Sequence, residues 1–251
     1  MLARELIRIV PLKSLFLKLI NIIYPPRCPI CQKFLNNGIS FCQDCSSKFQ
    51  KITSPFCTIC GTPFISDVEE DHVCENCLRK RPSYEVTRAP YLYEGALMTA
   101  IHKFKYGAKS FLANSLGLLL AEFAESWIKE SKNLLTIPVP LHPKRLRERG
   151  FNQSLLLARH VTSQLETELD FLSLRRVRYT SPQTGLKKEE RLKNVRGAFQ
   201  LVNPKTVKKK NILLVDDVAT TGNTLNECAR VLKRSGCKQV LCLVLARTGN
   251  Y

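Results

Sequence analysis

The stretch NILLVDDVATTGNTLNECARVLKRSG, residues 211–236, decides the fold. It opens on an unbroken apolar run, Ile212 to Val215, passes through the paired carboxylates Asp216 and Asp217, and crosses a loop of small residues, Val218-Ala219-Thr220-Thr221-Gly222-Asn223-Thr224. It then enters a helix that begins near Thr224. An apolar run without polar alternation is the pattern of a strand buried on both faces, as in a parallel sheet. Backbone amides of Ala219 to Asn223, at the start of the following helix, point into one concavity and carry the positive end of the helix dipole. Hydroxyls of Thr220, Thr221 and Thr224 add donors, and Gly222 lets the backbone come close to a ligand. The stretch therefore predicts a phosphate cradle. Carboxylates at the strand end would repel phosphate, so Asp216 and Asp217 are expected to accept hydrogen bonds from sugar hydroxyls, and the two together suggest a ribose 5-phosphate unit. The competing explanation is an N-cap and turn without a ligand. A Walker-type loop is excluded, since no Gly-Lys-Ser/Thr follows.

Around this stretch, helical and extended patterns alternate. VTRAPYLY, LLTIPVP, NILLVD and QVLCLVLAR read as strands, and LSLRRVRY as an edge-like strand. MTAIHKFKY, LANSLGLLLAEFAESWIKE, FNQSLLLARHVTSQLETEL and LNECARVLKRSG read as helices. The expectation is an α/β domain, a parallel sheet with helices on both faces and ligands at the carboxyl ends of its strands.

The chain has 251 residues and a formal net charge of +18. That excess is uneven. Residues 25–80 hold six basic and six acidic residues, whereas residues 81–251 carry a net +15. A positive field concentrates phosphate-bearing ligands, whether a sugar phosphate or a nucleic-acid backbone, although basic residues also serve solubility alone.

Eight of the eleven cysteines form four C-x-x-C pairs: Cys28 and Cys31, Cys42 and Cys45, Cys57 and Cys60, Cys74 and Cys77. Each such turn offers two thiolates, and two turns complete the tetrahedron that zinc prefers. One or two structural zinc ions are expected, with an iron-sulfur cluster or a redox dithiol as the alternatives. Two sequential ribbons are the simplest assignment, while the spacing also allows a cross-braced pairing. Thiolate sites of this kind suit a reducing cytoplasm. His72 is expected at the surface, and Cys228, Cys237 and Cys242 as ordinary buried thiols.

Residues 1–24 show a helical apolar stripe (Leu12, Leu15, Phe16, Leu19, Ile23) interrupted by charges, with neither a continuous transmembrane run nor a secretory cleavage site. Such an amphipathic helix can pack on the domain behind it or make peripheral contact with an anionic membrane. Pro25-Pro26 ends it and Arg79-Lys80-Arg81-Pro82 reads as a linker. Three segments result: the helix at 1–24, a cysteine module at 25–80 and the α/β domain at 81–251.

Within PVPLHPKRLRERGFNQS, Lys144, Arg145, Arg147 and Arg149 follow a strand end, where cations can neutralise a pyrophosphate. Arg149 is the first candidate. Asn152 and Gln153 are expected either to orient ligand oxygens or to cap the next helix. Phe104, Tyr106, Phe151 and Tyr179 lie among cations, as a stacking surface for single-stranded nucleic acid requires.

LLVDDVATTGNT resembles the phosphoribosyl pyrophosphate signature of type I phosphoribosyltransferases. With YPPRCPIC, AIHKFKYGAK, PVPLHPKRLRERGFNQS and SPQTGLKKEERLKNVRGAF, the chain resembles the ComF/GntX family over nearly its whole length. This resemblance implies a double zinc ribbon followed by a type I phosphoribosyltransferase-like domain. It also implies phosphoribosyl pyrophosphate and magnesium as ligands, and a link to natural competence through single-stranded DNA and competence-machinery proteins. By the same resemblance, the basic segment corresponds to a pyrophosphate loop and residues 181–199 to a hood carrying Lys187, Arg191 and Arg196. Gln183, Arg191 and Val195-Arg196 are similar to the matching loop of glutamine amidophosphoribosyltransferases. Two functions stay open. One is a transferase, with Asp216, Asp217 and Arg149 as its catalytic groups, displacing pyrophosphate with a nitrogen acceptor of nucleotide or amine metabolism. The other is a binding protein that senses the sugar phosphate and holds DNA. Transcriptional regulation is a weaker third.

Overall fold

The computed structural model describes residues 25–35, 41–64, 69–106, 110–129, 133–180 and 195–249. The leading helix expected at 1–24 and most of the hood, including Lys187 and Arg191, lie outside the described residues.

The main sheet is parallel throughout. Its strands are β1 (Val86–Arg88), β2 (Tyr91–Leu92), β3 (Leu134–Pro138), β4 (Glu168–Leu169), β7 (Asn211–Ala219) and β8 (Gln239–Arg247). The order is β1-β8-β7-β3-β4, with β2 pairing β8 beyond β1. β7 and β8 pair from Asn211↔Gln239 to Ala219↔Arg247. These two strands are the longest and carry unbroken apolar runs, as central positions demand. Because the pairing continues past Val215, β7 extends through both aspartates to Ala219, beyond the end expected at Asp216.

Side chains alternate across the sheet, and each face has its own core. Leu134, Leu213, Val215, Leu243 and Leu245 meet α3 (Gly95–Tyr106), α4 (Leu112–Trp127) and α6 (Gln153–Leu165). Ile137, Ile212, Leu214, Val240 and Cys242 meet α7 (Asn223–Arg234), the antiparallel pair β5 (Leu174–Arg176) and β6 (Phe199–Leu201), and the cysteines Cys57, Cys60, Cys74 and Cys77. Cys228, Cys237 and Cys242 are buried thiols in that layer.

Three local expectations are corrected. The helix of FNQSLLLARHVTSQLETEL stops at Leu165: Glu166 takes a left-handed conformation (φ 52°), and Glu168–Leu169 becomes edge strand β4 on β3. LSLRRVRY contributes only β5 (Leu174–Arg176), which leaves the main sheet to pair antiparallel with β6 (Phe199–Leu201), since β4 already occupies the edge. The basic segment, expected as a loop after the strand, is a helix, α5 (Pro143–Arg149). Pro143 stands at its first turn, the His142 ring accepts from the Lys144 amide, and Gly150 (φ 82°) ends it.

The cysteine module adds two short helices, α1 (Gln43–Ser46) and α2 (Glu75–Arg79). It is stitched to the sheet by backbone bonds from Thr87 N to Ile59 O (2.7 Å), Ile52 N to Pro90 O (2.9 Å) and Leu92 N to Gln50 O (2.9 Å). Among the described residues, no helix is long and apolar enough to cross a membrane.

Candidate sugar-phosphate site and cysteine clusters

The cysteines resolve into two sequential groups, Cys28/Cys31/Cys42/Cys45 and Cys57/Cys60/Cys74/Cys77, with the ligand atoms of each within 4.8 Å of one another. Tetrahedral zinc with bonds of about 2.3 Å separates its sulfurs by about 3.8 Å. Cys60 Sγ and Cys74 Sγ are 3.7 Å apart, and Cys31 Sγ and Cys42 Sγ 3.4 Å. The amides of Cys60 (3.4 Å) and Cys74 (3.3 Å) donate to Cys57 Sγ, as thiolate ligands require. Both clusters fit structural zinc, and the cross-braced pairing is ruled out. His72 is exposed, stacked on Phe64 with ring centroids 4.1 Å apart.

At the carboxyl end of the sheet a cleft of about 650 Å³ opens above β7 and β3. Asp216, Asp217, Thr220 and Thr224 line it together with Arg145 and Arg149. Helix α5 explains which cations face inward. Arg145 and Arg149 stand four residues apart and so share a helix face, whereas Lys144 and Arg147 are exposed and outside the lining. The Arg149 guanidinium lies 5.1 Å from the Tyr106 ring centroid.

The carboxylates are individually tethered. Asp216 Oδ1 accepts from Ser154 Oγ (2.7 Å) and from the Asp217 amide (2.9 Å). Asp217 Oδ2 is 2.9 Å from Lys105 Nζ. Burial, then the neighbouring Asp217 charge, pushes the Asp216 carboxyl up to about 7. Burial works against the Lys105 ammonium, yet Asp217 outweighs it and holds the lysine above its ordinary pKa.

The loop itself is cut differently from the expected one. Ala219 closes β7, buried, and its carbonyl accepts from the Thr248 amide (3.1 Å), so it does not line the cleft. Gly222 (φ 72°) precedes Asn223, the first residue of α7, without any side-chain cap. The first-turn amides of α7 therefore have no intrahelical acceptor. A Cβ at Gly222 would meet Tyr84 Oη at 3.4 Å. Thr221 Oγ1 is buried without a partner among the described residues, as are Gln153 Nε2 and Arg176 Nε, two donors of residues in the cleft wall.

Asn152 proves to be a cap: its Oδ1 accepts from the Ser154 amide (3.1 Å) while its Nδ2 donates to Val139 O (3.1 Å). Arg196 is outside the lining, its carbonyl accepting from Arg178 (2.6 Å). Of the aromatic quartet, Phe104 is fully buried and stacks on Phe151 (5.5 Å), so neither is free to stack on bases. Tyr106 and Tyr179 are exposed, 57% and 39%, and Tyr179 faces the Lys144 ammonium at 4.7 Å.

Lys105, Ser154 and Arg176 escaped the sequence reasoning as site residues, whereas Gln153, expected to orient ligand oxygens or to cap the helix, lines the cleft. Lys105 lies within the quoted AIHKFKYGAK and Ser154 and Gln153 within PVPLHPKRLRERGFNQS, but no local pattern ties any of them to Asp216 or Asp217.

Comparison with known proteins matches this architecture. Residues 19–78 match the family described as "Double zinc ribbon domain", and residues 152–251 that described as "Phosphoribosyl transferase domain". The chain is 31% identical over 229 residues to Competence protein F of Haemophilus influenzae, covering 88% of this chain and 96% of that protein. It is 32% identical over 229 residues to DNA utilization protein YhgH of Escherichia coli (strain K12), covering 89% and 98%. With Competence protein ComFC of Bacillus subtilis (strain 168) it shares 30% over 204 residues, 78% of each. Both domain types occur here in the same chain, and the likeness runs through nearly the full length of the first two relatives, so the chain belongs to the ComF/GntX family of double zinc ribbon, phosphoribosyltransferase-type proteins.

Proposed function

We propose that the cleft binds phosphoribosyl pyrophosphate with magnesium, and that the protein uses this site while handling imported single-stranded DNA in the cytoplasm. The observation that carries the proposal is the meeting of two features in one cleft. Two tethered carboxylates lie beside the start of a helix that has no side-chain cap, and Arg145 and Arg149 line the same cleft. The 5-phosphate fits the amides at the start of α7, where a helix dipole favours an anion. Ribose hydroxyls fit Asp216 and Asp217, whose remaining lone pairs are available to them. Magnesium would neutralise pyrophosphate charge, with Arg145 and Arg149 beside it.

The DNA component is supported by the relatives named for competence and DNA utilization, and by the net +15 on residues 81–251. Tyr106 and Tyr179, exposed beside Arg149 and Lys144, offer ring faces for bases next to cations for phosphates.

A calorimetric titration with phosphoribosyl pyrophosphate and magnesium, with and without short single-stranded DNA, tests the proposal. Saturable one-to-one binding of the sugar phosphate, and DNA affinity that falls steeply with salt, are expected. No heat with the sugar phosphate at millimolar concentration would overturn it. Pyrophosphate release that depends on an added nitrogen acceptor would instead favour a transferase.

A further inference from the structure

Arg247 ends β8 with only 4% of its surface exposed, an unusual fate for a guanidinium with no carboxylate contact among the described residues. Its Nε donates to Thr62 Oγ1 (2.8 Å), and that hydroxyl lies 3.1 Å from Cys60 Sγ, a member of the second cysteine cluster. Its Nη1 is buried without an acceptor among the described residues, and sits 4.0 Å from the place a Cβ would take on Gly222. Arg247 thus spans from the cysteine cluster to Gly222, the glycine that leads into α7.

Two further contacts run along the same seam. Tyr84 Oη lies against the same face of Gly222, and the Ser83 amide donates to Asn226 Oδ1 (2.7 Å) in the first turn of α7. On the cluster side the fit is tight: a Cβ on Gly61 would come within 2.5 Å of Thr87 O, so the metal-binding turn presses directly on β1. The second cluster and α7 share one core, and all four of its cysteines are buried.

We propose that Arg247 is a positioning residue for the turn at 220–224, and that Thr62 holds it there by linking it to the second cysteine cluster. Zinc in that cluster then does more than close a ribbon: it fixes Cys60, hence Thr62, hence the guanidinium beneath Gly222. An orphaned Nη1 is costly to bury, so its place beside Gly222 is one the surrounding contacts must enforce. Coupling of this kind is reciprocal, so a ligand on the turn also slows zinc loss from the second cluster.

The affinity part of this inference rests on the proposed function, whereas the positioning part does not. Amide hydrogen exchange at residues 220–224 is measured on the zinc-loaded, ligand-free full chain for wild type, Thr62→Val and Thr62→Ser, with zinc content determined on each. Thr62→Val removes the hydroxyl at constant shape and is expected to keep its zinc and speed exchange at 220–224 about tenfold, while exchange in β7 is unchanged. Thr62→Ser restores the slow rate. Equal exchange in wild type and Thr62→Val overturns the inference, as does acceleration spread evenly over the domain. Phosphoribosyl pyrophosphate with magnesium is then titrated into the same proteins. A weaker affinity in Thr62→Val, recovered in Thr62→Ser, extends the coupling to the ligand. Absence of binding to wild type, with the exchange difference intact, overturns the proposed function alone.

Discussion

Lys105 Nζ on α3 lies 2.9 Å from Asp217 Oδ2 on β7, joining a helix of one layer to the carboxylate pair at the sheet's end. Their side chains are 19% and 9% exposed, between the regimes of surface and buried pairs. Lys105→Met strands a carboxylate beside Asp216 and is expected to cost about 2–3 kcal/mol in urea unfolding at pH 8. Lys105→Met combined with Asp217→Asn removes both charges and should recover much of that loss.

The raised Asp216 carboxyl sets a pH dependence of definite sign. Its folded pKa of about 7 exceeds its ordinary 3.8, so the native state holds the extra proton between those values. Stability from this group is full below about pH 4 and is lost as pH rises towards 7. Asp216→Asn should therefore gain on the order of 1 kcal/mol over wild type at pH 8, and nothing at pH 4. Sugar-phosphate affinity runs the other way, because a ribose hydroxyl needs the ionised carboxylate. Calorimetry should show tighter binding at pH 8 than at pH 6 in wild type.

Gly222→Ala tests the turn. The residue sits at φ 72° with Tyr84 Oη 3.4 Å from the new methyl. A left-handed L-residue costs about 1–2 kcal/mol, and the methyl would stand in contact with the tyrosine hydroxyl. Both a lower melting temperature and weaker sugar-phosphate binding are expected.

Metal removal should act unequally. Cys57, Cys60, Cys74 and Cys77 are all buried within the core that contains α7, whereas Cys31 is exposed at the rim of the first cluster. Cys57→Ser should lower the melting temperature of the whole α/β domain, and Cys31→Ser much less. Differential scanning calorimetry with zinc quantification checks this.

How much was legible follows from where the information sits. Asp216, Asp217 and the glycine turn could be read because strand, carboxylates, loop and helix are contiguous, and each step has a local physical signature. The extension of β7 to Ala219 was hidden, since it depends on the length of β8 beside it. Lys105, Ser154 and Arg176 reach the cleft from three other elements, and no spacing along the chain announces such a meeting. Helix α5 was legible and overlooked: Pro143 and Gly150 mark its ends, but the segment was read as a loop by its place after a strand. Its existence then decides that Arg145 and Arg149, and not Lys144, face the cleft. Phe104 looked available for stacking among its cations, whereas its helical phase sends it into the core.

The central claim is that Asp216 and Asp217 hold a ribose phosphate above an intact zinc module. Asp216→Ala combined with Asp217→Ala, titrated with phosphoribosyl pyrophosphate and magnesium and assayed for zinc, tests it most directly. Affinity should fall at least a hundredfold, about 2.7 kcal/mol, with zinc content equal to wild type. Binding within a few-fold of wild type in that double variant would contradict the account.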